Sequence, residues 1–197
     1  MKNIYKYGFW FLLLVTFSLF NLYRVKVSDL ENNSETEKEI YKERINSLFV
    51  SNIILDREVN EVTDVISRKL LLNKDSTYMV ILLSDFDCAK CQEKELIKLD
   101  SLQTQLEIYD INVMAITTQE KLNKSLIFKK QFDLTIPIAV VQDNIFKNGL
   151  SFDTTKYPQL IFIKNGIITL AFQPITKDFE FSEMFYSVFL DKVNNQN

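Results

Sequence analysis

Two cysteines stand as Cys88-Ala89-Lys90-Cys91, and the chain has no others. A cysteine thiolate is a nucleophile and a soft metal ligand, so this spacing admits three fates. The two pair with each other, stay reduced, or engage a partner. Histidine is absent from all 197 residues. That excludes Ser-His-Asp and Cys-His catalysis and every histidine-containing zinc or copper site within the chain. Half a zinc site completed by a second copy, or plain core filler, are the competing readings of the cysteines. The polar approach Ser84-Asp85-Phe86-Asp87 argues against core filler. A redox pair is the reading taken forward.

The pair must be positioned by what flanks it. Tyr78 to Leu83 is an apolar run bounded by turn residues and predicts a buried central strand. A helix is expected from about Ala89 to Ile108, with Leu96, Leu99, Leu102 and Leu106 mostly on one side. A helix amino terminus offers free N–H groups and the positive end of its dipole. Both favour a thiolate on Cys88, and Lys90 adds a positive charge. Cys91, one turn deeper, can reach back and resolve a mixed disulfide. Asp85 and Asp87 oppose the effect, and Glu93 and Glu95 either join them or serve the first helical turn.

Further elements follow by pattern. Asn60–Leu72 carries a helical stripe, and Ile111–Thr117 reads as a strand. A helix from Leu122 ends near Phe132, and Ile138–Val141 is a short strand opened by Pro137. Asn144–Gly149 is a turn or short helix. Asn165-Gly166 lies between the strand-like runs 160–163 and 167–172, the strongest short hairpin signal. A helix over Asp178–Leu190 ends the body, and a frayed tail is expected at 193–197. Strand–helix–strand–helix–strand, then a hairpin and a helix, predicts an α/β fold with a mixed central sheet and helices on both faces.

The chain is 47% hydrophobic and 13% aromatic with a net charge of -3, a folding composition. Residues 1–26 hold Lys2, Lys6, Arg24 and Lys26 and no carboxylate, which leaves -7 on residues 27–197. So acidic a body, without a basic stripe, argues against nucleic acid as a partner. The apolar opening run predicts a transmembrane anchor or signal segment over 1–27. From it follow an inner-membrane, cell-envelope placement with the body on the extracytoplasmic (periplasm) side, and a membrane-bound or envelope redox partner. Residues 28–53 read as a charged linker or stalk helix. Ser34 and Glu37 make a capping box, and Tyr41, Ile45, Leu48 and Phe49 form a stripe for docking on the body.

The stretch Met79–Leu99 resembles the active-site strand, loop and helix of thioredoxin-fold proteins, nearest the TlpA/ResA-like (AhpC/TSA-related) thiol-disulfide oxidoreductases. The resemblance covers roughly residues 54–190 of an expected 54–192 domain. It implies a thioredoxin-like three-layer sandwich, with Cys88 as attacking and Cys91 as resolving cysteine. Tyr157-Pro158 falls where the family keeps its cis-proline, and Asp87, Lys90, Tyr157 and Pro158 would line the substrate groove. The implied substrates are protein thiols or disulfides, with no cofactor and no metal. A membrane-tethered binding or scaffold module without turnover is the alternative.

The departures from the family pattern are specific. Asp87 replaces the tryptophan usual before the first cysteine. Leu82 stands at thioredoxin's buried carboxylate, and Lys90 stands where a proline is common. These changes imply a narrower partner range than general protein reduction. The peroxiredoxin pattern fails at Ile81 and Asp85. Copper delivery of the Sco type lacks its histidine.

Overall fold

The computed structural model describes residues 24, 26, 34–70, 76–84, 89–176 and 178–194. The chain divides into two units, Met1–Lys42 and Glu43–Asn197. In the first, residues 34–42 are helical and largely exposed. The second carries the sheet.

The second unit opens with α1 over residues 43–52, followed by α2 (Asn60–Leu70) and β1 (Thr77–Leu82). Then come α3 (Ala89–Glu107), β2 (Ile111–Thr118), α4 (Leu122–Gln131) and β3 (Ile138–Val141). A π-helical turn over Ile145–Leu150, the hairpin β4 (Gln159–Lys164) and β5 (Ile167–Phe172), and α5 (Phe179–Asn194) complete it. The five strands lie in the order β3-β2-β1-β4-β5. β1, β2 and β3 run parallel, β4 runs antiparallel to β1, and β5 antiparallel to β4. This mixed sheet with helices on both faces is what the pattern predicted, and its topology is thioredoxin-like, as the resemblance implied.

Side chains alternate across a strand, and that alternation builds the three layers. Met79, Ile81 and Leu83 point to one face, beneath Leu96, Leu99 and Leu106 of α3 and Phe181, Tyr186 and Phe189 of α5. Tyr78, Val80 and Leu82 point to the other, against Val62 and Ile66 of α2 and Phe146 of the π-helical turn. Each such side chain fully buried contributes roughly 1.5–3 kcal/mol. The hairpin turn uses two residues in the left-handed region, Asn165 at φ 53 and Gly166 at φ 73. α5 continues to Asn194 with Val193 buried, and residues 195–197 lie outside the described ones.

Two expectations are corrected. The apolar stripe of α1 does not dock: Ile45, Leu48 and Phe49 are exposed. The helix instead turns Ser47 and Ser51 inward. Arg44 reaches Asp178, and the Ser47 hydroxyl donates to the Gln173 carbonyl at 2.7 Å, so polar contacts rather than the stripe decide which face is covered.

The membrane placement is also corrected, and with it the membrane as partner, the membrane-bound or envelope redox partner and the periplasmic location; the anchor or signal segment over 1–27 falls on residues outside the described ones, save 24 and 26. Among the described residues no helix is long and apolar enough to cross a membrane. Crossing needs about 17–25 consecutive apolar residues. α3 has the length, but Lys90, Glu93, Lys94, Glu95, Lys98, Asp100 and Glu107 interrupt it. The apolar run at the start of the chain lies outside the described residues.

Candidate functional site

The site gathers at the carboxyl end of β1, the end of a parallel strand where α/β proteins place their ligands. The ladder to β2 continues past the strand, with the Leu83 N–H donating to the Ile116 carbonyl at 2.9 Å. The Thr117 hydroxyl donates to the Leu83 carbonyl at 3.0 Å. Both partners of Leu83 are thus held, and the chain leaves the sheet at Ser84 in a fixed place. Asp87 and Cys88 lie outside the described residues.

Cys91 is the third residue of α3, buried and disulfide-bonded. Lys90 beside it is exposed. The first turn of α3 holds no acidic residue, so the positive end of the helix dipole is unopposed from within that turn. Leu82 is fully buried but points to the α2 face, the layer opposite α3.

The Tyr157-Pro158 peptide bond is cis. Gln159 pairs with Leu82 in the antiparallel ladder, so Pro158 comes alongside Leu83 at the same end of the sheet. Sequence and structure therefore place Pro158 beside the strand end that leads into the cysteine loop. Tyr157 is half-buried and stacks on Phe146, with ring centroids 5.7 Å apart. Its hydroxyl lies 2.9 Å from the Ser151 hydroxyl. Burial pushes the Tyr157 phenol above its ordinary value, against the lowering effect of hydrogen bonds from Ser151 and Ser84.

Two polar groups near the site hold places that the sequence reading did not give them: Gln159 it did not single out, and Glu95 it named only as a charge near the pair. The first is Gln159, which is fully buried. Its carboxamide oxygen accepts from the Ser151 hydroxyl at 3.2 Å and the Phe152 N–H at 3.1 Å. Its Nε2 donates to the carbonyls of Asp153 and Lys156. This one side chain organises the 151–157 loop that delivers Tyr157 and Pro158. A glutamine opening an apolar strand was the available signal.

The second is Glu95, buried one turn after Cys91 and hydrogen-bonded by the Tyr186 hydroxyl at 2.7 Å. Burial pushes its carboxyl above the ordinary value of 4.5, although the hydrogen bond from Tyr186 acts the other way. Burial, with Glu95 beside it, pushes the Tyr186 phenol well above its ordinary value and keeps it a donor. The spacing Cys91, Glu95, Leu99, Leu102, which keeps one helix face, carried the signal.

No family model matches this chain. No curated protein matches it either. Among solved structures, a thiol:disulfide interchange protein from Bacteroides sp. is 13% identical, with 67% of this chain and 84% of that one covered at a TM-score of 0.43. The thioredoxin domain of a thiol-disulfide oxidoreductase from Bacteroides vulgatus is 14% identical, with 56% and 79% covered at 0.42. Peroxiredoxin Q of Xanthomonas campestris is 9% identical, with 62% and 80% covered at 0.44. Such likeness carries no residue roles across; the thioredoxin-like architecture of this chain rests on its own strand order, register and layers.

Proposed function

We propose that the protein is a thiol–disulfide oxidoreductase of the TlpA/ResA-like kind, with Cys88 attacking and Cys91 resolving. The observation that carries the reading is Cys91 in disulfide form on the first turn of α3, directly after the central strand of a thioredoxin-like sheet. Cys88, the chain's other cysteine, is the proposed partner of Cys91. In the reducing direction the Cys88 thiolate attacks a substrate disulfide, and one substrate sulfur leaves as a thiol after taking a proton. The Cys91 thiolate then attacks the Cys88 sulfur. The Cys88–Cys91 bond forms, and the second substrate sulfur leaves. Two electrons pass to the substrate, and an external dithiol restores the pair. The oxidising direction is the same sequence reversed. Asp87, Lys90, Tyr157 and Pro158 are the proposed groove.

The test is to equilibrate the full chain in glutathione buffers and measure the potential of the pair. A single two-electron transition is expected. A value near roughly -270 mV marks a reductant, and one near roughly -120 mV an oxidant. Cys91→Ser should trap a mixed disulfide with a disulfide-containing peptide. A folded chain whose pair never exchanges overturns the reading in favour of a binding module that kept the fold without turnover.

A further inference from the structure

We infer that the open face of α5 is the contact of a homodimer, in which the ridge Glu180, Met184, Val188 and Lys192 packs antiparallel against the same ridge of a second copy of this chain. The inference is independent of the oxidoreductase reading. Residues four apart on a helix stand one above the other and form a ridge. That spacing joins these four along α5. Phe181, Tyr186 and Phe189 of the same helix are buried in the core. The ridge is not: Met184 is 48% exposed and Val188 62%, the Glu180 side chain is 87% exposed, and Lys192 is exposed.

Beside the ridge opens a groove of about 260 Å³. Apart from Lys192, every side chain that lines it is apolar. Met184 and Val188 form one edge, and Leu48 of α1 joins it from the neighbouring helix. Leu48 shares a helical face with Ile45 and Phe49, and all three are more than half exposed. The apolar surface therefore continues from α5 onto α1. Contiguous apolar surface of this kind, rimmed by charge, marks an interaction site. A stable interface covers about 800 Å² on each partner, so the α1 face is a needed extension of the α5 ridge.

The order of charge along the ridge selects the occupant. A two-fold contact brings the same patch of both subunits together, so the patch must complement itself. With the axis between Met184 and Val188, Glu180 faces Lys192 of the partner subunit, and Met184 meets Val188 of the partner subunit. A parallel alignment would set glutamate on glutamate and lysine on lysine. Packing of four-residue ridges into each other's grooves is the commonest class of helix contact, and it lays this ridge alongside its own copy. Glu180 lies 3.9 Å from an Nη of Arg44. That guanidinium has its two-bond fork on Asp178, so the loose contact is compatible with a second cation facing Glu180. An anionic lipid surface would call for a rim of lysines and arginines, whereas this ridge carries one charge of each sign.

The test is sedimentation equilibrium of the full chain from micromolar to submillimolar concentration. A species of twice the 23.2 kDa chain mass is expected. Glu180→Lys and Lys192→Glu each create like-charge contacts on both sides of the axis and should weaken association by about tenfold or more. Mixing the two variants restores opposite charges at both contacts, so each is expected to dimerise with the other though not with itself. The double swap in one chain should dimerise again. In a mixed-label sample of the unaltered chain, an isotope-filtered NOE should join the Met184 methyl of one protomer to the Val188 methyls of its partner, which decides the matter even if a charge variant does not fold. A monomer throughout that range overturns the inference, whether the face then takes up lipid vesicles or another protein. So does association that neither single swap weakens, or loss in both that mixing does not repair.

Discussion

The Asp178 carboxylate receives both the Nε and an Nη of Arg44, at 2.5 and 2.9 Å, across 134 residues of sequence. The same carboxylate caps α5 by accepting from the Phe181 N–H at 3.2 Å. The Arg44 guanidinium also lies over the Phe181 ring, 5.4 Å from its centroid. One fork thus joins α1 to the start of the last helix. Arg44→Ala should cost about 1.5–3 kcal/mol, the range for hydrogen bonds to charged groups. In urea unfolding this would appear as a lower midpoint with an unchanged slope.

Stability against pH should carry two opposite limbs. The Arg44 hydrogen bonds, outweighing partial burial, hold Asp178 below its ordinary 3.8. A depressed carboxyl contributes stability that is present above the ordinary value and lost as pH falls through the folded value. Glu95 is raised above 4.5 by burial. Its folded form holds the proton longer than the unfolded chain, so stability declines as pH rises from the unfolded value through the folded one. Asp178→Asn should flatten the acid limb, and Glu95→Gln the decline above it. Unfolding free energies taken across the acidic range check both; the reverse assignment would refute the two signs.

Gln159→Ala should be costly for its size. It leaves the Phe152 N–H without its acceptor, while the Asp153 carbonyl keeps the Ser151 hydroxyl and the Lys156 carbonyl keeps the Gln173 carboxamide. A buried polar group so stranded costs about 1–3 kcal/mol where water does not reach it. Because the same side chain organises the loop leading to Pro158, exchange with glutathione should slow as well. Denaturation and exchange rates on one preparation check both effects.

Gly166→Ala tests the hairpin. An added Cβ at φ 73 would lie 2.5 Å from the Asn60 Oδ1. The left-handed backbone alone costs roughly 1–2 kcal/mol for a residue with a Cβ. The position cannot drift freely, because the Val59 N–H donates to the Gly166 carbonyl at 2.7 Å. The loss should shrink in an Asn60→Ala background but not vanish. Complete recovery there would show that the contact, not the backbone, sets the cost.

The elements were legible because their signals are local. The Ile138–Val141 strand, the Asn165-Gly166 hairpin and the helix opening at Ala89 each follow from periodicity or turn chemistry within a few residues. The candidate pair was legible for the same reason, as two cysteines three apart at a strand–helix junction. Which face of α1 is covered was not. Its apolar residues sit at helical spacing, yet Ser47 and Ser51 face inward. The partners that decide this, Asp178 and the Gln173 carbonyl, are more than 120 residues away, beyond any local pattern.

The sequence by itself determined the alternation of strands and helices, the absence of histidine chemistry and the placing of a Cys-x-x-Cys motif at a helix start. Those depend on residue type and spacing alone. Only the tertiary structure decided that Glu95 and Tyr186 meet, that Gln159 is buried with four partners, and that Leu82 and α3 belong to opposite layers. The physical reason is that burial and hydrogen-bond satisfaction are properties of packed surfaces. A glutamate becomes a perturbed acid only when a second helix closes over it.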